Sequence, residues 1–129
     1  MHELHPTEGE LAILRILWDR GEPCSVHEVH AGLSRSKDTA YTTVLKMMTI
    51  MADKGLLSRD ESARRHLYAA VHPEPTVQSA LLNDLIQRAF SGSALQLVQR
   101  ALDVDATSSD DLNAIAHMIA QAKAQRRKT

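Results

Sequence analysis

The sequence predicts a mainly α-helical fold with one small β-hairpin, organised as an N-terminal domain over residues 1–73 and a helical region over residues 74–129. Three observations carry this expectation. Apolar residues recur at helical spacing in six separate segments. Two short extended runs with a polar tip between them interrupt the pattern after the third segment. Pro73 and Pro75 mark a change of character, after which only helical patterning follows.

Thr7-Glu8-Gly9-Glu10 has the Thr-x-x-Glu form of a capping box ahead of Leu11, Leu14, Leu17 and Trp18, which predicts a first helix over about 8–20. Gly21 supplies its stop, since glycine takes positive φ at little cost, and Pro23 keeps the helix from resuming. Ser25-Val-His-Glu28 is a second capping box, ahead of Val26, Val29 and Leu33, for a short helix over about 26–35. A polar turn of a few residues leads to a third helix over about 39–54, closed by Gly55. In this helix Val44, Met48 and Met51 fall at i, i+4 and i+7 and share one face, while Thr42, Thr43, Lys46 and Thr49 lie largely away from it. Hydroxyls and a single cation on an exposed helix face suit phosphate oxygens and base edges.

Two helices joined by a tight polar turn, the second bearing that face, form a helix-turn-helix. Leu56-Leu57-Ser58-Arg59 and His66-Leu67-Tyr68-Ala69-Ala70-Val71 flank the polar tip Asp60–Arg64 as a hairpin. Alanine is a poor strand former, so position carries this assignment more than propensity does. A hairpin directly after such a helix is a wing, with Arg64 and Arg65 at its tip.

Beyond Pro75, three helical segments carry apolar stripes: Val77, Leu81 and Leu85; Leu95, Val98 and Leu102; Leu112, Ile115 and Ile119. Ser91-Gly92-Ser93 separates the first two, and Thr107-Ser108-Ser109-Asp110-Asp111 caps the third with acidic residues in its first turn. Three short helices cannot bury such stripes alone, and the proline boundary points to a second chain as their partner, making a three-helix dimerisation arm.

Composition narrows the function. Fifteen Lys and Arg against sixteen Asp and Glu leave no global basic excess, so any attraction for nucleic acid must come from a local cluster such as Arg35, Lys37, Lys46, Arg64 and Arg65. One cysteine, Cys24, rules out an internal disulfide and fits a reducing compartment. With no apolar signal region at the N-terminus and no long apolar run, a soluble cytoplasmic protein is expected. No phosphate loop, nucleophile elbow or zinc-protease motif occurs, so no enzymatic activity and no cofactor are expected. Of seven histidines, only His27 and His30 have chelating helical spacing, and no Cys or second pair is in sequence reach, so no metal site is assigned.

The chain resembles the penicillinase repressor family, the BlaI/MecI/CopY group of bacterial winged-helix regulators. The resemblance rests on Thr7-x-x-Glu10 with Ile16-Leu17-Trp18, Val26-x-x-Val29, Ala40-Tyr41-Thr42-Thr43-Val44, Lys54-Gly55-Leu56-Leu57, Tyr68, and Phe90-Ser-Gly92-Ser93 with Leu97-Val98. It implies a homodimer, held by the C-terminal stripes, that represses transcription from an inverted-repeat DNA operator. By that resemblance Thr39, Tyr41, Thr42, Thr43 and Lys46 face the DNA from the third helix, and Arg64 and Arg65 position the backbone from the wing.

This chain departs from the family pattern in four places. The β-lactam-responsive members carry an Asn-Phe bond cut by a membrane sensor protease, and Arg100-Ala101 stands there in this chain. Such a protease is a partner only if it cuts a different bond. The C-terminal cysteines of copper-responsive members are missing. Ile50 replaces a usual helix cation, and Ala63-Arg64 replaces Gly-Arg at the wing. Two further readings stay open: a winged-helix protein-interaction module whose third helix docks a partner without binding DNA, and a metal-responsive regulator using His27 and His30.

Overall fold

The computed structural model describes residues 4–62, 64–104 and 107–128. His2 and Ala63 lie outside them. The elements run α1 (Glu8–Arg20), α2 (Val26–Leu33), α3 (Tyr41–Asp53), β1 (Leu57–Asp60), β2 (Leu67–Ala70), α4 (Glu74–Ala89), α5 (Ala94–Val104) and α6 (Ser109–Arg127). This is a winged-helix order followed by three helices. The chain divides into two compact units, Met1–Asp84 and Leu85–Thr129.

Both capping boxes form. Thr7 Oγ1 accepts from the Glu10 N–H at 3.2 Å while Glu10 Oε1 accepts from the Thr7 N–H at 2.9 Å, satisfying two of the donors a helix start leaves open. Ser25 and Glu28 repeat the arrangement at the start of α2. Gly21 ends α1 at φ 67°, its N–H bonded to the Leu17 carbonyl. Helix α2 stops at Leu33, two residues before the expected 35, and the Ser36 N–H then makes a tighter i→i−3 bond to the Leu33 carbonyl. Helix α3 begins at Tyr41 rather than Thr39, with Ala40 at its N-cap and no side-chain cap there.

The hairpin is antiparallel, pairing Leu57 with Ala70 and Asp60 with Leu67. Cys24, between α1 and α2, bridges Tyr68 on the other side of β2 through N–H···O bonds of 2.9 and 2.8 Å. Strand β2 is therefore hydrogen-bonded along both edges around Tyr68, which explains why an Ala-rich segment is held extended against its propensity. Ile13, Leu14 and Leu17 of α1, Val29 of α2, Val44, Met48 and Met51 of α3, and Leu56, Leu57 and Tyr68 around the hairpin form one buried cluster. The Trp18 indole N–H closes the unit by donating to the His72 carbonyl at 3.0 Å.

Within the second unit, Ser91 (φ 51°) and Gly92 (φ 84°) make the break before α5, and the Gly92 N–H bonds the Ile86 carbonyl at 3.0 Å. Ser108 caps α6 by accepting from the Asp111 N–H. Neither α5 nor α6 buries a single residue within the chain. The division between units falls after Asp84, eleven residues past the proline-marked position at 73, so the first turns of α4 belong with the winged unit. Val77 corrects the set of residues assigned to a dimer contact. It is only 1% exposed in the single chain, so it offers no open surface to a second copy.

Candidate nucleic-acid interface

The periodicity of α3 divides its surface as the hydrophobic pattern requires. Val44, Met48 and Met51 are fully buried, and Thr42, Thr43 and Lys46 are exposed. Thr49 differs from expectation: it is half-buried, and its hydroxyl donates to the Leu45 carbonyl at 2.8 Å, the back-bond that helical threonines make when they turn inward. Thr39 sits just before α3 and is half-buried. Its carbonyl accepts from His30 Nε2 at 2.7 Å, which requires the proton on that nitrogen.

The expected contact residues fall into three places. Tyr41, Arg64 and Arg65 line one cleft of about 330 Å³, shared with His27, Leu45 and His66. Thr39 and Thr43 line a second groove of about 550 Å³ beside α1, along with Arg15 and Lys37. Thr42 and Lys46 stand exposed on α3 and line neither. The wing tip thus meets the start of α3, while the turn between α2 and α3 opens toward α1.

Tyr41 is held from one side by two imidazoles. The rings of His27 and His30 meet it edge-on, with centroids 5.5 and 5.7 Å away and interplanar angles of 68° and 81°. The i, i+3 pair with chelating spacing packs an aromatic ring, and one of its nitrogens is committed to the Thr39 carbonyl. Among the described residues, no three His, Cys, Asp or Glu side chains converge where a metal ion could be held.

Sequence reasoning missed His66, Leu45 and the ring contacts of Tyr41. His27 left a signal in its spacing. His66 left none, because a hairpin tip shows its neighbours only once the sheet is paired.

Electrostatics around the cleft favour an anion. No carboxylate lines it among the described residues. The neighbouring Glu28 is occupied by the Ser25 N–H and by Arg20, whose Nη2 lies 2.6 Å from Oε2. Its carboxyl is held below the usual range first by the Ser25 N–H, against the opposing effect of burial, and further by the Ser25 hydroxyl and by the charges of Arg20 and Arg65. Cys24 is fully buried, and burial pushes its thiol pKa up, so it supplies no reactive thiolate.

This arrangement, a helix-turn-helix of α2 and α3 followed by a two-stranded hairpin that carries Arg64 and Arg65, defines a winged helix. The chain belongs to the penicillinase repressor family, whose model matches residues 6–121. It is similar to the transcriptional regulator BlaI of Mycobacterium tuberculosis, in both strain CDC 1551/Oshkosh and strain ATCC 25618/H37Rv. Each is 31% identical over 115 residues, covering 89% of this chain and 83% of the relative. A solved structure of the hsRosR-S4 complex shares the fold, with a TM-score of 0.53 at 17% identity, covering 93% of this chain and 91% of that one. The protein is accordingly a DNA-binding transcriptional regulator and not an enzyme. No helix among the described residues is long and apolar enough to cross a membrane.

Proposed function

We propose that the protein is a homodimeric repressor that recognises an inverted-repeat operator, with α3 in the major groove and the wing on the phosphate backbone. The observation that carries this reading is the exposed Thr42, Thr43 and Lys46 surface of α3, opposite its buried Val44, Met48 and Met51. Hydroxyls and an ammonium on a helix rigidly seated by its other face are suited to base edges and phosphates. Arg64 and Arg65 take phosphate-positioning roles, and Thr39 serves from the turn before α3.

Dimerisation is assigned to the C-terminal helices. Leu85, Leu95, Val98, Leu102, Leu112 and Ile119 are exposed, Leu95 at 78%, with Leu81 and Ile115 half-buried beside them. Apolar stripes left open in one chain are suited to a second copy. A dimer then sets half-site centres about one helical turn apart, roughly 10–10.5 base pairs, or a multiple of it.

The test is a salt titration of the full chain against a short duplex taken from upstream of its own coding region, alongside sedimentation at micromolar concentration. Preference for that duplex over a shuffled one, by a sedimenting dimer, supports the reading. Equal affinity for both at low salt, or a monomer, overturns it. One observation favours a second reading. Tyr41, Leu45 and Ile50 leave 40–43% of their surfaces exposed on the same helix, which would suit a protein partner docking on α3 in place of DNA.

A further inference from the structure

The cleft between the wing tip and the start of α3 contains two groups that the DNA-binding reading leaves unused. His27 on α2 and His66 beside the wing tip are both exposed, and both share its lining with Arg64 and Arg65. Two guanidinium groups and two imidazoles thus meet in a space of about 330 Å³ that no carboxylate lines among the described residues. The guanidinium and imidazole groups of this lining can only add positive charge, which suits an anion. Tyr41, pressed edge-on by His27, adds a phenol to the same wall.

We propose that this cleft seats a DNA backbone phosphate, with His27 and His66 acting beside Arg64 and Arg65 as further phosphate-contacting residues, so that DNA binding takes up protons. The proposal rests on the DNA-binding reading. It favours a backbone phosphate over a free anion because the lining joins the two elements that flank a duplex in a winged-helix complex: Tyr41 and Leu45 from α3, and the arginines from the wing.

The groups facing His27 are Tyr41 on α3, Arg64, Arg65 and His66 at the wing, and Glu28 and His30 on its own helix, with Arg20 of α1 behind Glu28. Histidine is the side chain whose charge ordinarily changes between about pH 5 and 8. A phosphate beside an imidazole favours the charged ring, so the complex holds more protons than the free protein. Affinity therefore rises as pH falls through that window.

The experiment measures DNA affinity of the full chain by fluorescence anisotropy across that pH window at constant low ionic strength. The salt slope is taken at both ends, with the upstream duplex and a shuffled one as probes. Affinity is expected to rise toward acid pH on both duplexes. The salt slope is expected to be steeper there by up to about 0.9 for each imidazole that gains charge. His27→Gln and His66→Gln each remove part of this dependence, and the double variant flattens it, while His117→Gln leaves it intact. Thermal melts check that each variant stays folded under the binding conditions, with His66→Gln, whose side chain is exposed, expected to match the parent.

A pH dependence that persists in the double variant, or none in the parent, overturns the seat while leaving DNA binding in place. Absence of DNA binding at low salt overturns both together. Substituting inorganic phosphate for chloride at equal ionic strength separates the two sources of phosphate. Displacement of DNA from the parent but not from the double variant supports the seat, because the ion and the DNA backbone then compete for one cleft. Phosphate that binds the parent through His27 and His66 and leaves DNA affinity unchanged makes the cleft a small-anion site, and the backbone assignment fails.

Discussion

Lys54 Nζ lies 2.9 Å from Glu10 Oε2 and 3.1 Å from Oε1, so the residue that closes α3 is tied to the carboxylate that caps α1. Glu10 is nearly fully buried and the Lys54 side chain is about half exposed. One carboxylate thus serves two purposes: it accepts the Thr7 N–H to start a helix, and it anchors the far end of the helix that exposes Thr42, Thr43 and Lys46. Burial alone would push the Glu10 pKa up, but the hydrogen bonds from Lys54 and Thr7 and the Lys54 charge outweigh it, leaving the carboxyl below its ordinary 4.5.

A depressed carboxylate pKa makes the contribution pH-dependent in a definite direction. The unfolded chain binds this proton more readily than the folded one, so the stabilisation is complete above about pH 4.5 and fades as pH falls through the lower folded-state value. Lys54→Met is expected to cost about 1–2 kcal/mol at neutral pH, discounted for the exposure of the lysine. Urea unfolding of the parent and variant at neutral and strongly acid pH checks this. The gap between the two curves should narrow in acid, and a gap that widens there would contradict the assignment.

The two faces of α3 should respond to truncation in opposite ways. Met48→Ala empties a fully buried site and is expected to cost about 2–5 kcal/mol of stability. Thr42→Ala, on the exposed face, should change stability by no more than about 0.5 kcal/mol. If Thr42 contacts a base edge, the same change weakens operator binding by about 1–3 kcal/mol and relaxes preference at one position. Thermal melts paired with binding to a set of singly substituted duplexes separate these outcomes.

The wing arginines are expected to act without regard to sequence. Arg64→Ala and Arg65→Ala should each lower the salt slope of DNA binding by about 0.9 and weaken all duplexes alike. A loss confined to one duplex would instead make that arginine a base reader.

Cys24 should be silent in the native protein. It is fully buried, its Sγ donates to the Glu22 carbonyl at 3.4 Å, and burial disfavours the thiolate. A disulfide exchange reagent should therefore label it only as fast as the winged unit opens, with stoichiometric labelling after denaturation. Rapid labelling under native conditions would contradict its place beside Tyr68.

Much of this protein is settled by interactions local in sequence. Thr7 with Glu10, Ser25 with Glu28, Gly21 and Ser108 each act across four residues or fewer, so helix starts and stops are legible from the chain itself. The burial of Val44, Met48 and Met51 and the exposure of Thr42, Thr43 and Lys46 follow from the helical period in the same way. The family resemblance rests on these segments.

What tertiary structure decided lies wherever distant segments meet. Strand β2 is extended because Cys24 and β1 pair with it on either side, although its alanines favour neither. Val77 is buried within the single chain rather than left on an open stripe, and Thr49 is turned back on its own helix. His27, Tyr41, Arg64, Arg65 and His66 become one cleft although they are spread over forty positions of the chain. Caps and periodicity are written in residues a turn or two apart. The cleft and the Lys54–Glu10 tie exist only after the core has brought their elements together, since nothing in the spacing of such residues forces them to meet.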